Sequence, residues 1–126
     1  MDEHQRLVNL LISAFQKEGY IILRATGGNF PEPYKIGRHE PDIIATEQSG
    51  LIIIGEAKTE DDINGSQSQE QYLDFSNRIM SEGLLKGRRI PLHIIVPKNS
   101  SPLLRQSLAS LGISNKIGGQ IIIWVD

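Results

Sequence analysis

The chain has 126 residues, 39% hydrophobic and 22% charged, with a net charge of −2 at neutral pH and no cysteine. That length suits a single domain over residues 1–126 whose core needs no staples, and the lack of thiols excludes disulfides, thiolate zinc sites and cysteine catalysis. No apolar run approaches the roughly 18 residues of a bilayer span, and the acidic, polar start MDEHQRLV does not read as a secretory signal, so a cytoplasmic protein off the membrane is expected.

Residues 3–18 place Leu7, Leu11, Ala14 and Phe15 on one helical face, with Val8 and Leu10 widening the stripe and Gly19 as the C-terminal cap. YIILRA (20–25) reads as a buried strand. TGGNFPEPYKIGRHE (26–40) has no periodicity and reads as a long loop available to a ligand. Two Ile-rich strands follow, at about 42–46 and 51–58, with EQSG as the turn of an antiparallel hairpin. Ser66 and Ser68, each with a Gln three residues on, fit a capping box that opens a helix. That helix is predicted to run to about Ser81, with Leu73, Ile79 and Met80 in the core, before Gly83 and Gly87 break it. PLHIIVP (91–97) is a short strand. Ser101 is read as the cap of a further helix with Pro102 in its first turn and Gly112 beyond its end, and QIIIWVD closes the chain as a buried strand with Trp124 in the core. The order αβββαβαβ predicts an α/β fold, a mixed sheet of about five strands flanked by helices on both faces.

The chemistry is concentrated at one end of the Ile-rich hairpin. Pro41-Asp42 opens its first strand, and Glu56-Ala57-Lys58 closes its second. Side chains alternate across a strand, so Glu56 and Lys58 share the face that carries Ile52 and Ile54, and that face changes from apolar to ionic within one step. Two carboxylates converging at the edge of a sheet suit magnesium, which takes oxygen ligands and keeps waters and phosphate oxygens in its shell. A lysine beside them can orient a water or steady charge developing on phosphorus. Charge is also distributed in blocks. Lys35, Arg38 and His39 form one basic group, Lys86, Arg88 and Arg89 another, and Glu60, Asp61 and Asp62 adjoin the acidic end. The net charge speaks against strong non-specific affinity for nucleic acid, but distribution matters more than the sum.

PD, thirteen intervening residues and then ExK at the end of an Ile-rich strand resembles the PD-(D/E)XK nuclease superfamily. The order helix, three strands, helix, strand over residues 3–96 is similar to that superfamily's core, as in small Holliday-junction resolvases. The resemblance implies a restriction-endonuclease-like fold and an Mg2+-dependent endonuclease acting on DNA, with Mn2+ as a possible substitute. It implies Asp42 and Glu56 as metal ligands, the Ala57 carbonyl as a further ligand, and Lys58 as the catalytic lysine. Gln71, four residues before Phe75, matches a glutamine found on the following helix in some branches. Glu3, one turn before Leu7, stands where many branches place a first-helix acid toward the metal. Homodimers are frequent in small members, and a protein partner could supply target specificity, since no separate sequence-reading module is visible.

Ordinary roles stand beside these. Asp42 suits a turn after proline, Glu56 and Lys58 a surface ion pair, Gln71 an exposed helix position and Glu3 a helix first turn. His4 and His39 read as polar surface. Lys35, Arg38, Arg88 and Arg89 are candidate phosphate contacts, and Tyr34 and Phe30 are available to stack on bases. The register is also open: a tight turn pairing Thr46 with Leu51 would put Asp42 and Glu56 on opposite faces, so a wider loop or a bulge is expected. The alternative function is a non-catalytic binding or assembly module on the same fold, within a DNA-processing complex.

Overall fold

The computed structural model describes residues 2–126. The first helix, α1 (Glu3–Lys17), starts on Asp2, whose carboxylate accepts the Gln5 N–H at 2.7 Å. It ends on Gly19 at φ +84°, with Tyr20 N–H donating to Phe15 O and Gly19 N–H to Gln16 O. This is a Schellman closure, and the Phe15 and Tyr20 rings meet across it, centroids 5.6 Å apart. Leu7, Val8, Leu11 and Phe15 are buried, but Leu10 stays 39% exposed and does not widen the buried stripe.

The strands β1 (Ile21–Ala25), β2 (Ile43–Thr46), β3 (Ile52–Ala57), β4 (Leu92–Val96) and β5 (Ile121–Val125) lie in one sheet in that order. β1–β2 and β2–β3 are antiparallel, while β3–β4 and β4–β5 are parallel. The parallel pairs are joined through α2 (Ser66–Phe75) and α3 (Ser101–Ser110), so the protein is α/β with a mixed sheet and three α-helices.

Two apolar clusters cover the two faces. Ile43, Ile53, Ala57 and Ile95 pack with α1. Ile54, Leu92, Ile94 and Ile121 pack with Tyr72 and Phe75 of α2 and Leu104 and Leu108 of α3. Gly55 sets how closely α1 approaches. A Cβ there would stand 3.0 Å from Ile43 and 3.1 Å from Leu11 and Phe15, so glycine lets the helix settle on the strand next to Glu56.

Four readings of the sequence are corrected. β1 and β5 are edge strands: Ile21 is 54% exposed and Leu23 42%, with a bulge in β1 between Ile22 and Arg24, and Ile122–Trp124 are half-buried. Apolar content alone does not distinguish an edge from the middle of a sheet. The α2 helix stops at Phe75 instead of Ser81. Its end is held by Lys116 Nζ, which donates to Ser76 O at 3.1 Å and Asn77 Oδ1 at 2.9 Å, and Ile79 pairs with Arg89 in an irregular hairpin. Ile79, beyond that end, is exposed, as is Leu73 on the outer side of α2 itself, while Met80 packs on the core. The capping residues also differ: Gly65 precedes α2 and Ser100 precedes α3, neither with a side-chain cap bond. No helix among the described residues is long and apolar enough to cross a membrane.

Candidate active site

The hairpin register decides whether the two acids can meet. Thr46 pairs with Ile52 and Ile43 with Gly55, and Glu47 N–H closes the turn on Leu51 O at 2.9 Å. The turn is one step wider than the tight alternative. Continuing the register sets Asp42 opposite Glu56 without a bulge, on the face toward α2. The acids then lock together: Glu56 Oε1 accepts the Asp42 backbone N–H at 3.0 Å, and Asp42 Oδ2 accepts the Ala57 N–H at 2.9 Å. Each carboxylate thus fixes the other's strand end.

Lys58 lies one step beyond, its N–H anchored on Ile95 O of β4 at 3.0 Å. Its ammonium is 3.3 Å from Glu56 Oε2 and donates to Gln71 Oε1. All three side chains are withdrawn from solvent, with Lys58 and Gln71 each 8% exposed and Glu56 2%. A buried lysine needs such partners. Gln71 is therefore an inward-facing residue that holds the lysine, and not an exposed helix position. Ser68 on the same helix is buried as well, and Tyr72 OH donates to Ile63 O at 3.0 Å, tying the helix to the segment that follows β3.

The electrostatics are unbalanced. Burial, followed by the nearby Asp42 charge, pushes the Glu56 carboxyl up to about 8 despite the opposing pull of Lys58. One ammonium does not compensate two neighbouring carboxylates removed from water. These residues line an open cavity of ≈ 440 Å³ whose rim carries Glu40, Asp62 and Ser66. The donor set, two converging carboxyls in an open, water-accessible cavity whose lining carries four acids against one lysine, fits a hard divalent cation that keeps waters and substrate oxygens. Among the described residues, no group of three or more His, Asp or Glu side chains is arranged to hold a metal ion, so protein donors would supply only part of such a shell.

Glu3 does not join this cluster. Its carboxylate is exposed and bound to the Arg6 guanidinium at 2.7 Å. His4 reaches the cavity instead, with Nε2 3.2 Å from Asp42 Oδ2. That hydrogen bond raises the His4 pKa against the opposing effect of its partial burial. The first helix does present a residue to the acids, but it is the histidine, one position along and so about 100° around the helix.

The basic candidates lie outside the cavity. The Lys35, Arg38, Arg88 and Arg89 residues are all exposed. Arg38 is positioned through its backbone, whose N–H donates to Asp74 Oδ2 at 2.9 Å, and the same oxygen is 2.8 Å from His39 Nδ1. Arg78 Nη2 lies 2.9 Å from Asp74 Oδ1. Asp74 thus clasps the 35–40 loop to α2, and His39 is a packed member of that clasp, not free surface. Gly37 sits against it at φ +71°, where a Cβ would come within 2.7 Å of Asp74 Oδ1. The sequence reading missed Asp74; the only signal was an acid on the second helix with an Arg four residues later.

No protein-family model, no curated protein and no solved structure matches this chain.

Proposed function

We propose that this chain is a magnesium-dependent nuclease that hydrolyses DNA phosphodiesters on a restriction-endonuclease-like fold. The observation that carries the reading is the meeting of Asp42, Glu56 and Lys58, from two adjacent strand ends, in one open cavity with surplus negative charge. The strand order, with β1–β3 as an antiparallel meander and β4 parallel to β3 across α2, supports the PD-(D/E)XK resemblance.

Asp42 and Glu56 would hold the ion, with the Ala57 carbonyl as a further oxygen donor and the His4 imidazole at the rim. A bound divalent ion polarises the phosphodiester and lowers the pKa of a coordinated water. Lys58 is kept in position by Glu56 on one side and Gln71 on the other. Its ammonium orients the attacking water and faces the charge that builds on phosphorus as the water oxygen bonds to it and the bridging P–O bond breaks. Gln71 acts through Lys58 and is a positioning residue.

The competing reading is a non-catalytic binding or assembly module. The observation in its favour is that protein side chains alone do not make a three-ligand metal group. Calorimetric Mg2+ titration without nucleic acid, on the wild type and on Asp42→Asn, addresses the site directly. The nuclease reading expects ion binding that Asp42→Asn abolishes, and cleavage of plasmid and branched DNA that Asp42→Asn and Lys58→Ala reduce by roughly 100-fold or more while the circular dichroism spectrum is unchanged. Metal-dependent cleavage that survives both substitutions would remove these residues from the mechanism.

A further inference from the structure

The segment between α2 and β4 is a built hairpin and not a slack connection. Met80 N–H donates to Arg88 O at 2.8 Å, Gly87 N–H to Met80 O at 2.9 Å and Ile90 N–H to Arg78 O at 3.0 Å. Ile79 and Arg89 form an antiparallel bridge between its arms. Its tip holds Leu84 wholly in solvent, at 106% relative exposure. A backbone-bonded turn holds that leucine out in solvent, where its apolar side chain is free to enter a partner.

The base of the hairpin is cationic. Arg78, Arg89 and Lys116 line a cavity of ≈ 190 Å³ together with Asn77 and Gln120. Lys116 is fixed there by Ser76 and Asn77. Only Arg78 has a carboxylate partner, Asp74; among the described residues neither Arg89 nor Lys116 is in an ion pair, nor are Lys86 and Arg88 on the hairpin itself. Burial and the adjacent Arg89 charge lower the Lys116 pKa, as expected where like charges converge without a counter-ion. The hairpin carries one acid, Glu82, which is exposed.

We infer that the 78–90 hairpin is a second nucleic-acid contact, in which Leu84 wedges between base steps while Arg89, Lys116 and Arg78 hold an adjoining backbone phosphate. An apolar wedge flanked by cations is how many proteins unstack and kink a duplex, with the phosphate contacts offsetting the unstacking cost. The hairpin feeds the start of β4, whereas the acids sit at the end of β3, which runs parallel to it. A strand of this length spans about 16 Å, so the base of the hairpin and the acids stand at opposite ends of the central strands. One leucine buries too little to anchor a bilayer, which favours nucleic acid over a lipid surface. The choice of nucleic acid rests on the nuclease reading; the wedge and the basic seat are separate from the acids.

The test uses the intact chain in EDTA, so that binding is separated from cleavage. The probes are a duplex carrying 2-aminopurine, whose fluorescence rises on unstacking, and vesicles of phosphatidylcholine with phosphatidylserine. Leu84 and Arg89 are exposed, so Leu84→Ser and Arg89→Ala should fold normally. The expected result is that Arg89→Ala lowers the slope of log K against log salt by about one, and that Leu84→Ser keeps the slope but loses the fluorescence rise. Duplex binding that neither substitution changes overturns the inference, as does absence of duplex binding or Leu84-dependent attachment to the vesicles alone. An Mg2+ response lost in Asp42→Asn alongside hairpin-independent DNA binding would leave the nuclease reading standing without this one. Hairpin-dependent binding without a metal response or cleavage would do the reverse.

Discussion

Two carboxylates lie deep in this protein, and their surroundings treat them oppositely. Asp74 receives the Arg38 N–H, the His39 ring and the Arg78 guanidinium, and these partners hold its pKa below the ordinary value against the opposing effect of burial. Glu56 is as deeply placed but faces a second acid, with one lysine between them and the helix, and its pKa is raised. A buried acid ringed by a backbone N–H, a histidine and an arginine is a structural fastening. A buried acid beside another acid costs stability, a cost that the proposed cation would offset. Depth alone does not separate the two; the balance of nearby charge does.

The strongest way to break the comparison is Glu56→Gln. It should reduce Mg2+-dependent cleavage by roughly 100-fold or more while raising the melting temperature of the metal-free protein at pH 8, because it removes an unfavourable charge. The pH dependence has a definite sign. The folded Glu56 carboxyl, near 8, lies above its ordinary value of 4.5. The folded protein therefore keeps a proton the unfolded chain has released, and this group's contribution falls as pH rises from about 4.5 to about 8. His93 acts in the other direction. Buried beneath α1 and accepting Trp124 Nε1–H at 2.9 Å on Nδ1, it is lowered from 6.5 to about 4 by burial, so stability is lost as pH falls through that interval. The two slopes oppose one another between about 4.5 and 6.5, and above that Glu56 and His4, whose pKa is also raised, both lose their contribution as pH rises. Melting curves across this range should show an upper decline that is clearly smaller in Glu56→Gln than in the wild type, with His4 supplying the remainder; a decline undiminished in the variant contradicts the assignment.

Asp74→Ala should behave as the opposite kind of substitution. Losing a charged acceptor with several donors is expected to cost about 2–3 kcal/mol, measurable by urea unfolding, and to loosen the 35–40 loop. Its effect on metal affinity should be small, because neither Asp74 nor its partners Arg38, His39 and Arg78 line the acidic cavity. A stability change near zero would show that water replaces the carboxylate without loss.

The smallest effects distinguish the adjacent residues of α1. His4→Ala should weaken Mn2+ binding more than Mg2+ binding, since an imidazole donor favours the transition metal. Glu3→Ala should leave both affinities and the cleavage rate unchanged, because Glu3 is paired with Arg6 away from the cavity. Calorimetry on the two variants separates the assignments, and a Glu3→Ala effect as large as that of His4→Ala would reverse them.

Local pattern carried much of the architecture. The heptad-like stripe through Leu7, Leu11 and Phe15, the glycine at position 19 and the paired Ile-rich runs each depend on neighbours a few residues away, so helix, cap and hairpin were legible without coordinates. The alternation that puts Glu56 and Lys58 on one face is of the same kind. The end of α2 was not legible, because it depends on Lys116, forty residues farther along the chain.

The sequence by itself therefore determined which residue types stand at the ends of β2 and β3, and the shared parity of Glu56 and Lys58. Only the tertiary structure decided that Asp42 lies opposite Glu56, that Gln71 turns inward to Lys58, that His4 and not Glu3 reaches the acids, and that β1 and β5 are edges. The division has one physical cause. Periodicity is set by backbone geometry within a few residues, whereas register, helix rotation and burial are set by contacts between segments far apart in the chain, where a single step reverses a strand face or turns a helix by about 100°.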